Sequence, residues 1–196
     1  MPDTPAALQR CFNAVSTPAV SVLGDLALLA GALTGFFCSV RCPGDIILKT
    51  YDLAKALREA EITLIGGFQS PMEKEFLGVL LWGRVRVVIC PARGLGNMRL
   101  PKTWRAPLTN GRLLILSFFD NSIRRPTAAI VARRNASIAA VCDRILVAYA
   151  QPNGKTEALC KQALTSRKPV LTLDSPHNAY LKALGASSFS ADSLPL

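Results

Sequence analysis

The sequence predicts an α/β fold, a three-layer sandwich in which a mostly parallel sheet carries helices on both faces. Three observations predict it. Short apolar runs alternate with segments of helical periodicity from about residue 35 to residue 173. Several of those runs stop at glycine, serine or proline, as buried parallel strands do where they turn into helices. The chain of 196 residues is 50% hydrophobic and only 18% charged, which suits one packed core and excludes a disordered, collagen-like or coiled-coil chain.

The elements follow in order. The mostly apolar stretch from 18 to 40 has the length of a membrane span, but Gly24, Gly31, Gly35 and the acid Asp25 interrupt it. It is also a poor signal peptide, because the only early basic residue, Arg10, lies well before it. It reads as a short strand at 19–23, a helical turn and a buried strand at 35–40. Ile46, Ile47, Leu53, Ala54 and Leu57 lie at helical spacing within 44–60. The run 62–65 is a strand that ends at Gly66-Gly67, and a helix from 71 to about 82 starts on Pro71, where a missing N–H is harmless. Strands then fall at 86–90, 113–116, 144–149 and 169–173, with helices at 102–110, 127–141 and 155–166 between them. Five or six such repeats make the sandwich Rossmann-like. The expected layout is one domain: an N-terminal extension to residue 34, a core at 35–173, and a C-terminal helix and tail at 174–196. The first dozen residues and the Ser-rich end after Gly185 are expected to be loose.

Charge is uneven. Between residues 76 and 142 eleven basic side chains face a single acid, Asp120, so this third carries the whole formal charge of +10 and the two flanks together are neutral. All of the eleven except Lys102 are arginines, whose planar fork matches phosphate oxygens bidentately. The excess suggests a phosphate-bearing partner; a solvated basic face is the plainer alternative. The six cysteines, at 11, 38, 42, 90, 142 and 160, include no CxxC pair, and His177 is the single histidine. That pattern speaks against a zinc site or a disulfide scaffold and fits a reducing cytoplasm, with no metal, cofactor or membrane partner expected.

Ligands of parallel sheets lie beyond the carboxyl ends of the strands, where unpaired N–H groups and helix dipoles favour anions. The turns there supply the candidates. The first holds Ser39 and Arg41. The second holds Gly66, Gly67, Gln69 and Ser70, with Glu73 three residues on; Ser70 and Glu73 form a capping box, contact a ligand, or both. Arg93 follows the third strand, Ser117 the fourth, with Arg124, Arg125, Arg134 and Asn135 beyond it. The last turn is Gly154-Lys155-Thr156. Tyr149 stands where a Walker A loop requires its first glycine, which speaks against a P-loop nucleotidase. Phe68, Phe118 and Phe119 are either stacking platforms for bases or core residues.

Ser39-x-Arg41, Gly66-Gly67 with Ser70 and Glu73, Leu116-Ser117, Arg134-Asn135 and Gly154-Lys155-Thr156 together resemble the Rossmann-like core of the DNA-processing protein A (DprA/Smf) family. The resemblance implies a non-catalytic, cytoplasmic protein that binds single-stranded DNA or a nucleotide in a basic pocket, forms a homodimer and contacts a recombinase. The chain departs from the family at Cys38, Phe119 and 70–73, and has no room for the accessory modules of many members. Residues 152–157 are also similar to the phosphate turn of the LOG (lysine-decarboxylase-like) phosphoribohydrolases. That similarity implies either a nucleoside monophosphate hydrolase, in which Glu73 is the best-placed catalytic acid, or a nucleotide sensor without catalysis.

Overall fold

The computed structural model describes residues 20–189 and Gln9. Eight strands and six α-helices follow one another: β1 (Ser21–Gly24), β2 (Leu33–Cys38), α1 (Gly44–Leu57), β3 (Thr63–Gly66), α2 (Pro71–Leu80), β4 (Arg86–Ile89), α3 (Lys102–Thr109), β5 (Leu113–Ser117), α4 (Ala128–Val141), β6 (Arg144–Tyr149), α5 (Lys155–Thr165), β7 (Val170–Leu173), α6 (Ala179–Ala183) and β8 (Ser187–Phe189). They form one sheet in the order β1-β5-β4-β3-β2-β6-β7-β8. Every neighbouring pair is parallel except β1 with β5.

The winding fixes where a ligand site can be. From β2 the chain steps outward through β3 and β4 to β5, then crosses back by α4 to lay β6 on the other side of β2. The two halves wind in opposite directions from the β2/β6 seam, the kind of position at which parallel sheets hold ligands. On one face the core joins Ile46, Leu53, Phe76 and Leu80 of α1 and α2. On the other it joins Ile138 and Val141 of α4 with Cys160 and Ala163 of α5. Strand β2, covered on both faces, is buried throughout, which explains its continuous apolar run.

Local chemistry accounts for the helix ends. Ser70 and Glu73 close a complete capping box on α2, with Pro71 in its first turn. Thr127 accepts the N–H of Ile130 at the start of α4. At its far end the Lys168 ammonium donates to the carbonyls of Ala139, Ala140 and Cys142, which have no partner inside the helix.

The sequence-based layout needs two adjustments. Strand β2 starts at Leu33 and stops at Cys38, so Ser39 and Val40 belong to the turn. Ser187–Phe189, expected to be loose, is a strand paired in parallel with β7. The first dozen residues apart from Gln9, together with Pro18, Ala19 and the tail after Phe189, lie outside the described residues. No described helix is long and apolar enough to cross a membrane.

The Phe36 and Phe76 rings stack with centroids 3.8 Å apart and bind α2 to the central strand. Phe76→Ala removes one whole ring from a fully buried site, so the urea midpoint should fall by an amount equivalent to about 3–5 kcal/mol.

Candidate functional site

Glu73 organises the carboxyl edge of the sheet. Its carboxylate is buried in the first turn of α2. Oε2 accepts the N–H groups of Gln69 (2.7 Å) and Ser70 (3.0 Å), and Oε1 accepts the N–H of Cys38 (3.0 Å) at the end of β2. The capping box visible in the sequence thus extends across to a neighbouring strand. Both oxygens are committed to backbone donors, so Glu73 shapes the turn instead of facing a ligand as a free acid.

Arg134 approaches the same turn from α4, on the opposite face. Its Nη1 donates to the carbonyl of Cys90 (2.9 Å) and its Nη2 to Oε1 of Gln69 (3.0 Å). The guanidinium fills the space where a side chain at position 67 would begin: a Cβ on Gly67 would lie 1.6 Å from Nη1. Gly67 is glycine for this reason. Arg134 is only 2% exposed, and burial lowers its pKa against the opposing pull of the Glu73 charge. Its Nε is buried without a hydrogen-bond partner. Expected in the sequence as a phosphate contact, Arg134 lies buried and ties together the turns after β3 and β4. Asn135 follows it, half-buried on α4.

Ser117 is likewise internal. Fully buried, its hydroxyl donates to the carbonyl of Arg93 (2.7 Å) and accepts the N–H of Phe119 (3.2 Å). Phe68, Phe118 and Phe119 are buried too, so they are core residues and not stacking platforms. Phe68 holds a left-handed backbone, φ 45°, at the centre of the glycine turn.

Gly67, Gln69, Lys74, Pro91, Arg93 and Pro126 are among the walls of an open cleft of about 190 Å³ between the turns after β3 and β4. Arg93 is half-buried and steadied by the carbonyls of Gly94 (3.2 Å) and Gly96 (3.4 Å). Arg124 and Arg125 are exposed immediately before Pro126, and Arg133 is exposed with its guanidinium 5.4 Å from the Phe119 ring centre. Lys74 was missed in the sequence because it lies inside a helix rather than in a turn. The signal was its place, one residue past the capping-box Glu73, where a first-turn side chain stays near the strand ends. Arg86, by contrast, starts β4 at the other edge and donates to the Glu61 carbonyl (3.1 Å). Arg112 immediately precedes β5 at that same edge.

A second group gathers at the β2/β6 seam. The Ser39 hydroxyl donates to Oγ1 of Thr156 (3.2 Å) and accepts the N–H of Gln151 (2.9 Å), joining the turns after the two strands. Helices α1 and α5 begin here behind Pro43 and Gly154, and neither has a side-chain cap. At α1 the carboxylate of Asp45 itself takes first-turn N–H groups, so only the start of α5 is without a side-chain acceptor, whereas α2 and α4 are capped by Ser70 and Thr127. Arg41 and Lys155 are exposed on these turns. Glu157 is turned inward, accepting the N–H of Asn153 and pairing with Lys161, which lowers its pKa.

No protein-family model and no curated protein sequence matches the chain. Solved structures do. The structure of DNA processing protein A from Streptococcus pneumoniae superimposes with a TM-score of 0.75 at 20% identity, over 96% of this chain and 68% of that one. DNA processing protein A from Helicobacter pylori, whose structure describes a single-stranded DNA binding mode, superimposes with a TM-score of 0.76 at 16% identity, over 98% and 91%. A molybdenum cofactor binding protein from Rippkaea orientalis follows with a TM-score of 0.58 at 11% identity, over 82% and 91%. The chain therefore has the Rossmann-like fold of the DNA processing protein A structures.

The contact between Gly67 and Arg134 makes the two positions interdependent. Gly67→Ala and Arg134→Ala should each destabilise the protein, and the double variant should lose less than the sum. A coupling of about 1–3 kcal/mol is expected from urea unfolding of the four-member cycle.

Proposed function

We propose that the protein binds the phosphates of single-stranded DNA along the carboxyl edge of its sheet, without base readout and without catalysis. One observation carries the reading: the cleft after β3 and β4 is walled by Lys74 and Arg93, is rimmed by the turn bearing Arg124 and Arg125, and has no acidic residue in its lining. Phosphates are neutralised most effectively by such convergent cations, and guanidinium adds directional donors. A volume near 190 Å³ has room for a phosphate and its sugar, which a flexible strand can turn into it. With Phe68, Phe118 and Phe119 buried, these rings offer bases no platform, and little sequence preference follows. The likeness of fold to the Helicobacter pylori protein supports the same ligand.

The hydrolase alternative is less well supported, since both oxygens of Glu73 are taken by backbone N–H groups. A mononucleotide reading keeps one observation in its favour, the uncapped start of α5 beside the Ser39–Thr156 hydrogen bond.

Fluorescence anisotropy with a labelled oligothymidylate tests the proposal. Affinity should fall steeply as salt rises, in a log–log line whose slope loses about 0.7 for every phosphate contact removed. Arg124→Ala and Arg125→Ala should weaken binding and flatten that slope, while Arg86→Ala, at the other edge, should leave both unchanged. A salt-independent affinity, or an equal loss from Arg86→Ala, overturns the reading. Thermal stabilisation by a nucleoside monophosphate but not by the oligonucleotide would transfer it to the mononucleotide.

A further inference from the structure

We infer that Cys38 and Cys42 form an oxidative modification site, at which a hydroperoxide joins the two sulfurs as a disulfide across the turn between β2 and α1. The inference stands apart from the phosphate-binding reading. Cys38 is the buried last residue of β2, and Cys42 lies half-buried two residues ahead of α1. Their Sγ atoms are 3.9 Å apart. A disulfide bond is about 2.05 Å long, so closure requires an approach of about 2 Å. Cys38 cannot supply the movement, because its N–H is held by Glu73 and it pairs with Tyr149 of β6. The exposed Val40 and Arg41 leave the other side of the turn free to close.

The two thiols are also differentiated. Cys38 donates its S–H to the sulfur of Cys42, which lowers the Cys42 pKa and, together with burial, raises that of Cys38. Cys42 is therefore the more accessible and more readily ionised thiol of the two, and Cys38 the partner that resolves it. In the first step the Cys42 thiolate attacks one oxygen of hydrogen peroxide, the O–O bond breaks, and Cys42 sulfenic acid and hydroxide form. In the second, the Cys38 sulfur attacks the sulfenic sulfur; the S–S bond forms, the S–O bond breaks, and the Cys38 proton leaves with the oxygen as water. Two thiols lose two electrons in total and the peroxide becomes two waters. Cys142 and Cys160 do not compete: burial pushes their pKa values up to about 11 and about 12.

Trypsin provides the readout. Cleavage after Arg41 separates Cys38 from Cys42, so the disulfide would link peptide 11–41 to peptide 42–49. Cys11 shares the first of these, and the full chain is therefore treated as Cys11→Ser. After brief exposure to hydrogen peroxide the linked pair should appear two hydrogens lighter, disappear with dithiothreitol, and be absent from Cys38→Ser and Cys42→Ser. Without any further variant, alkylation at neutral pH should label Cys42 at least about tenfold faster than Cys142 or Cys160, and peroxide should abolish that labelling. The inference is overturned if Cys42 stays alkylatable under excess peroxide, or if it accumulates as sulfenic or sulfinic acid while Cys38 remains a thiol.

Discussion

A single buried carboxylate sets the geometry on which the carboxyl edge depends. Glu73 gathers N–H groups from its own turn and from the end of β2, so the central strand and the turn after its neighbour cannot move independently. Hydrogen bonds to an ionised acceptor are worth about 1.5–3 kcal/mol each, and losing the acceptor would leave several buried donors unpaired at once. The linkage continues through Gln69 to Arg134 and on to the carbonyl of Cys90. Because Arg134 comes from α4, this chain of contacts ties the two helical layers together over the end of the sheet. The opposite charges of Glu73 and Arg134 lie on either side of one glycine turn, and their attraction offsets part of the cost of burying both.

The basic residues consequently divide into two kinds. Arg134 is buried and donates to the Cys90 carbonyl and to Gln69, and Lys168 donates to the last carbonyls of α4, whereas Lys74, Arg124 and Arg125 are exposed and Arg93, though held by the carbonyls of Gly94 and Gly96, lines the open cleft. A net charge summed over the sequence conflates them. What matters for an anionic partner is the second kind, a smaller number of cations placed on adjacent turns by a rigid scaffold.

Much of this architecture was legible in the sequence, for definite reasons. Buried parallel strands such as β2 and β6 announce themselves as apolar runs, and the Ser70/Glu73 spacing is a local code that needs no tertiary knowledge. Edge strand β8 was not legible, because Ser187 and Ser188 carry no apolar signal and their pairing with β7 is decided by the sheet. The burial of Arg134 was hidden for a related reason. Adjacent Arg133 and Arg134 look alike in sequence, yet one is exposed and the other buried, because only the face of α4 that bears Arg134 is turned to Gly67. Ser117 and the three phenylalanines show the same limit: residues beside a predicted turn can belong to the core beneath it.

The β2/β6 seam bears on how the protein comes into being. Thr34 and Arg144 are hydrogen-bonded neighbours across it although 110 residues separate them in sequence. The strands from β2 to β5 can pair progressively as they are synthesised, since each joins one already made. Strand β6 must instead return to the middle of the sheet after α4 has crossed it, and such distant pairings form late and slowly. No nascent chain shorter than 156 residues contains both the Ser39 and Thr156 hydroxyls. Until then the flank of β2 that β6 will cover is an open edge, the stage at which pairing with another unfinished chain competes with folding.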